Sequence, residues 1–300
     1  MLTVNYLDMA RVGSGIAYPL IEENVQYAPE LQVVPASPMV GDTMTLTVRT
    51  DLPTVSFRKY NSGVARSKSK FETRVFQAMP LSHQIGVDKE LADNQVDRGR
   101  FLQTHASGVM EAKFRLISSQ FYYGLTADAN GFPGLIAQTI GEATHVVDAG
   151  GSTAKSSVWL LGLGPEKIEF LLPNGRTATL QPDWPVETVY DSDSNPYQAY
   201  TNWLNGSIGM RVANKNCAIR IKKLGTDTGK GLTDALLYEA LALADDLKFQ
   251  PTHIFLRGRS LEQLRKSRTA TNAKGDPAPL PTTFEGIPFV RTHGITLAET

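Results

Sequence analysis

Cysteine is almost missing from this chain: Cys217 is the single one in 300 residues. One thiol excludes an intrachain disulfide and any Cys-x-x-Cys metal or redox site, and makes a reducing compartment the expected one. Its neighbours Ala218 and Ile219 read as strand, so Cys217 is expected to be a buried structural thiol rather than a nucleophile. No apolar run is long enough for a membrane-spanning helix. The opening residues, MLTVNYLDMARVGSG, have no basic stretch leading into an apolar block, so a secretory signal is not expected and synthesis in the cytoplasm is. Net charge is missing too, because 30 Lys and Arg balance 30 Asp and Glu. Nothing global therefore points to a nucleic-acid glove or a membrane-surface binder.

The arrangements that carry catalysis are also scarce. The five histidines (His83, His105, His145, His253, His293) show neither HxxxH nor HExxH spacing. There is no GxSxG elbow. Gly225–Lys230 invites a phosphate-loop reading, but three residues rather than four separate its glycines, and Gly231 stands where a metal-binding hydroxyl belongs. Within it, Asp227-Thr228-Gly229 matches the aspartic-protease tripeptide, yet Lys230 follows where an apolar strand should run. Asp191-Ser192-Asp193-Ser194-Asn195 has calcium-like ligand types without the glycine and closing glutamate of an EF loop, and reads as a solvated turn. Gly13-Ser14-Gly15 follows no strand, so a dinucleotide fingerprint fails. No catalytic residue, cofactor or metal site is assigned, and an enzyme is not expected.

What is present is enough apolar content, 41%, for a substantial core. A helix over Leu2–Arg11 is possible, and proline-punctuated chain follows to residue 38, with apolar side chains that favour an arm laid over something else. Residues 44–58 alternate: Met44, Leu46 and Val48 against Thr45, Thr47 and Arg49, then Val55 and Phe57 against Ser56 and Arg58, the mark of half-buried strands. From Leu102 to Phe121, apolar residues recur every three or four positions and predict one long amphipathic helix, stopped at Gly124. The second half reads as strands around Trp159–Leu163, at Ile168–Leu172 with a Pro173-Asn174-Gly175 turn, and at 208–212 and 219–221. The last two predict a hairpin across Asn214-Lys215-Asn216, with Arg211, Arg220 and Lys222 outward. A helix from Thr233, a strand at Thr252–Leu256, a helix capped by Ser260 with Gln263, and a short strand at 286–290 complete an α+β reading.

The segment from Arg58 to Arg74 carries six Lys or Arg and one acid. A basic hairpin with so few apolar side chains makes no core of its own and needs a partner surface. Arg49, Arg58, Lys59, Lys68, Lys70 and Arg74 are the candidate contact residues. They could meet acids on another copy, with Glu22, Glu23, Glu30, Glu166 and Glu169 as candidates. Alternatively the hairpin, with Phe57 and Tyr60 for stacking, could serve a nucleic-acid-binding module. A third reading is a hydrolase whose site the pattern does not disclose.

The order arm, basic hairpin, long helix, mixed body resembles the major capsid proteins of tailed bacteriophages, which share the Hong Kong 97-like fold. TVRTDLPTVSFRKYNSGVARSKS, VDKELAD, FYYG, FPGL, VDAGG with SSVWLLGLGP, the PNG turn, and YQAYTNW with GMRV are similar to one family of these proteins, spread over residues 47–212. The resemblance implies an N-terminal arm (1–38), an extended loop (39–82), a peripheral domain (83–222) holding a spine helix (94–123) and a β-sheet, and an axial domain with return to the peripheral sheet (223–300). It implies a virion coat protein, assembled in the host cytoplasm, that forms hexamers and pentamers closing an icosahedral shell around double-stranded DNA without sequence-specific binding. Its implied partners are copies of itself, a portal protein, a possible decoration protein and a separate scaffolding protein, since no long helical leader is seen.

Overall fold

The computed structural model describes residues 25–139 and 143–299. The expected helix at Leu2–Arg11, the glycines at 13–15, and Glu22 and Glu23 lie outside the described residues. A single helical turn, α1 (Glu30–Val33), precedes β1 (Ala36–Met39). β2 (Thr43–Asp51) and β3 (Lys70–Gln77) form a two-stranded antiparallel ribbon. One residue, Ala78, separates it from β4 (Met79–Asp88). Asp88 then caps α2 (Lys89–Asp93), accepting from the N–H of Glu90 and of Leu91.

The long helix is α3 (Arg98–Tyr123), 26 residues or about 39 Å. Its expected stripe is real: Leu102, Ala106, Met110, Phe114, Ile117 and Phe121 are all buried. It starts at Arg98 rather than 94 because the Asp97 side chain accepts from the Arg100 N–H and sets the first turn. It stops at Gly124, whose φ is +55° and where a Cβ would fall 2.1 Å from the Gly134 nitrogen. Only glycine fits that position.

After α3 come α4 (Leu135–Thr139), β5 (Val146–Asp148), β6 (Ser156–Leu161), β7 (Ile168–Pro173), β8 (Thr179–Leu180), β9 (Val186–Tyr190), β10 (Pro196–Val212) and β11 (Ala218–Leu224). The chain then forms α5 (Asp234–Asp246), β12 (His253–Leu256), α6 (Gly258–Ala270), β13 (Thr283–Phe284) and β14 (Ile287–Arg291). Two sheets result. One orders β1-β7-β10-β4, with β8 and β9 also on β10; the other orders β13-β14-β12-β6-β11-β5. The stripe of α3 joins both, packing Met110, Phe114 and Phe121 with Phe170 and Met210 of the first sheet and Trp159 and Phe255 of the second. The opposite face of the second sheet is covered by α5 and α6 through Leu237, Ala240, Ala244, Leu261 and Leu264. β6 is thus buried on both faces, which is why it reads as an unbroken apolar run.

Four expectations change. The hairpin across 214–216 does not form: β10 and β11 lie in different sheets, and each takes its ladder from other strands. Arg211 and Arg220 accordingly point into the protein, Arg211 paired with buried Glu169 and Arg220 with Glu299 at 2.8 Å. Ser260 does not cap α6: Arg257 is its N-cap residue, Ser260 is buried inside the helix, and Gln263 instead bonds the Gly225 carbonyl at 2.8 Å. A division at 222/223 would cut through β11, and the second sheet takes β5, β6 and β11 from the segment expected to be peripheral. Lastly, Ala28, Leu31, Val34 and Ala36 belong to this chain's own core, so the described end of the expected arm is part of the body.

Candidate functional site

The ribbon sets β2 against β3 from Thr43↔Gln77 to Asp51↔Lys70, with an irregularity after Arg49. Alternation gives it two faces. Met44 and Leu46 pack on a small cluster of Met39, Phe76, Ala78 and Leu171 at the ribbon's base. Thr45, Thr47, Arg49, Phe71, Thr73 and Val75 share the other, exposed face.

Beyond Asp51 the ladder ends, and residues 52–68 are exposed throughout. The half-buried strand expected at Val55 and Phe57 is not there; these side chains are 89% and 108% exposed, and Tyr60 is 99% exposed. Alternation supplies a strand only where another strand and a body lie opposite, and here neither does. The tip is shaped locally: the Ser62 N–H and Oγ both bond the Lys59 carbonyl, Arg58 donates to the Ser62 carbonyl at 3.0 Å, and Asn61 takes φ +61°. Ser67 Oγ donates to the Thr54 carbonyl across the two limbs at 3.0 Å.

Of the candidate contact residues, Arg58, Lys59 and Lys68 lie on this exposed tip, with Arg66 beside them. No acid occurs between residues 52 and 69. Arg49 stands exposed on the ribbon. Lys70 is met within the chain by Asp51 at 3.3 Å, and Arg74 by Glu72 at 3.5 Å. Among the described residues, the positive charge without an intrachain ion pair is therefore concentrated at the tip and at Arg49, while Lys70 and Arg74 each have a partner within the chain.

Of the acids expected to answer that charge, Glu166 stands exposed, while Glu30 and Glu169 do not. Glu30 is fully buried, and its carboxylate accepts from Ser118 Oγ at 2.9 Å, Tyr122 Oη at 2.8 Å and Thr292 Oγ1. Burial raises its pKa. Glu169 is equally buried, accepting from Ser37 and paired with Arg211. Neither can reach a second copy. Asp183 and Glu187, and Asp191 and Asp193 of the turn read above as solvated, are exposed acids that the sequence reading did not set against the tip. The available signal was residues 181–200, which hold these four acids and no Lys or Arg.

Other motifs have structural roles. Asp227 accepts from the backbone N–H of Ser152 at 2.7 Å and Thr153 at 3.0 Å, clasping two loops. Those N–H groups hold its pKa down at about 2. Asp191 closes its own turn, accepting from the N–H of Asp193 and of Asn195. Lys113, buried under the first sheet, donates to the Ala178 carbonyl at 2.5 Å, and burial lowers its pKa to about 7. Cys217 is buried. Among the described residues, no group of three or more His, Cys, Asp or Glu is placed to hold a metal ion, and no helix is long and apolar enough to cross a membrane.

The family model of major capsid protein GP7 matches residues 30–300. No curated protein matches the chain. Among solved structures, the chain is similar to that of bacteriophage Epsilon15, with 18% identity and a TM-score of 0.63 over 86% of this chain and 84% of that one. It is also similar to the bacteriophage JBD30 capsid, with 10% identity and a TM-score of 0.55 over 98% of this chain and 99% of that one. At such identities the likeness establishes the fold: an α+β chain of the phage-capsid type.

Proposed function

The chain belongs to the major capsid protein GP7 family, and from that premise we propose that it is the repeating subunit of a phage shell, assembling into hexamers and pentamers that enclose double-stranded DNA. Its role is structural, not catalytic, and its place is the virion. The observation that carries this reading is the tip at 52–68. It holds Leu52, Val55, Phe57, Tyr60 and Val64 in solvent together with four cations that make no ion pair among the described residues. Exposed apolar groups of this number mark a surface that another molecule covers. In a shell that molecule is a sister copy.

The physics of such a shell is many weak, repeated, heterologous contacts, which make a closed object only when each interface also curves. On this reading the first sheet and α3 form the peripheral domain and the second sheet with α5 and α6 the axial domain. The ribbon with its tip is the extended loop, and the arm is the part of the chain before the body. A scaffolding protein, a portal and decoration proteins are the further partners proposed. A balanced net charge suits a container that should not clamp its DNA.

Size-exclusion chromatography followed by negative-stain microscopy tests the proposal. Capsomers or shells are expected as concentration rises. A monomer at every concentration overturns it, and a monomer whose DNA affinity falls steeply with salt favours a nucleic-acid-binding module instead.

A further inference from the structure

β9 and the first part of β10 pair from Val186↔Tyr200 to Tyr190↔Pro196 and form a second projecting ribbon. Its surface is the inverse of the tip at 52–68. Asp183, Glu187, Asp191 and Asp193 are exposed, and none of them makes an ion pair among the described residues. Val186, Tyr190 and Tyr197 stand among them at 43%, 68% and 40% exposure. The tip at 52–68 has basic groups and no acid beside its exposed apolar side chains, and the stretch at 183–197 has acids and no Lys or Arg beside its own.

Their positions keep them apart within one molecule. β4 and β10 pair antiparallel from Met79↔Ile208 to Asp88↔Ala199, ten positions or about 30 Å. The basic ribbon joins this ladder at the Met79 end, because only Ala78 separates β3 from β4 and a single residue leaves no room for a reversal. The acidic ribbon continues from the Ala199 end. The two project from opposite ends of one rigid ladder.

We propose that the acidic ribbon at residues 183–197 of one copy receives the basic tip at residues 52–68 of the next, a head-to-tail contact between complementary surfaces. This rests on the shell reading above and names the surfaces that would make it. Opposite charge at opposite ends permits a heterologous contact that repeats from copy to copy and disfavours tip against tip. An exposed acidic face on α5 is the poorer partner. Its Asp234 is already held by Arg268 at 2.7 Å, and Asp245 and Asp246 are not on a projecting ribbon.

Charge exchange tests the contact. Glu187 and Asp193 are the acids to reverse, since their carboxylates make no hydrogen bond or ion pair among the described residues, whereas Asp191 closes the turn. Glu187→Lys with Asp193→Lys, and separately Arg58→Glu with Lys68→Glu, should each lower the sedimenting shell fraction roughly tenfold, with circular dichroism unchanged. The four changes together should restore it to within about threefold of the parent protein. Asp245→Lys with Asp246→Lys should assemble normally. Should the reversed ribbon not fold, Glu187→Gln with Asp193→Asn must still weaken assembly and reduce its salt dependence. Normal assembly by the ribbon variants, no rescue in the combined variant, or loss of assembly only on reversing α5 overturns the inference and leaves the shell reading standing. A parent protein that forms no shell at all overturns both.

Discussion

Glu30 is a buried carboxylate with three hydroxyls around it and, among the described residues, no cation bonded to it. It ties the start of the described chain to α3 through Ser118 and Tyr122, and to the segment after β14 through Thr292. Burial raises its pKa above the ordinary 4.5, so the folded protein binds the proton more tightly than the unfolded chain does. Its contribution to stability is therefore full below about pH 4.5 and declines as pH rises through the folded value. Glu30→Gln should abolish that decline. Denaturant titrations of the monomer should show the glutamine variant gaining on the parent between pH 4.5 and 7. A stability difference that does not change with pH would refute the assignment. In the sequence Glu30 and Glu169 looked like surface acids, because a charged letter says nothing of the hydroxyls and arginine that long-range folding brings to it.

At the scale of elements, α3 is where the two sheets meet, and Phe121 touches both. Its ring centroid lies 5.5 Å from that of Phe170 and 6.4 Å from that of Phe255. Phe121→Ala removes contacts on two sides at once and should lower stability by about 3–5 kcal/mol in chemical denaturation. Leu125→Ala, at a half-exposed position just past the helix, should change it by less than about 1 kcal/mol. A small effect at Phe121 would mean that the sheets hold together without the helix. The helix was legible because a period of 3.6 needs only local sequence. The same holds for α5, whose Thr233 cap accepts from the Leu236 N–H. The hairpin across 214–216 was misread because two alternating strands with a short polar link carry no record of which strands pair with them.

For the whole molecule, the question is what the tip at 52–68 does for the folded chain, and within one copy it buries almost nothing. Asp51 and Lys70 face each other at the end of the ladder. An Asn-Gly turn can therefore replace residues 52–69 and close the ribbon directly. Monomer stability should shift by less than about 1 kcal/mol, while shells should no longer form. Normal shells from the shortened chain would show that the tip has no part in assembly. The basic character of this loop was legible in advance, and the expectation that it meets a partner followed from that. The acids proposed to answer it were legible only as a stretch without Lys or Arg, since distance along the chain does not say which groups project.

Local order was set by the sequence: the stripe of α3, its glycine stop, the alternation of β2, and the charge of the tip all depend on residues within a few positions of one another. Folding in three dimensions alone decided which strands share a sheet, which arginines and glutamates are buried, and that two ribbons of opposite charge leave opposite ends of one ladder. Those outcomes depend on contacts between residues far apart in the chain, whose free energy comes from burying both faces of a sheet at once, and no short stretch of sequence carries that sum.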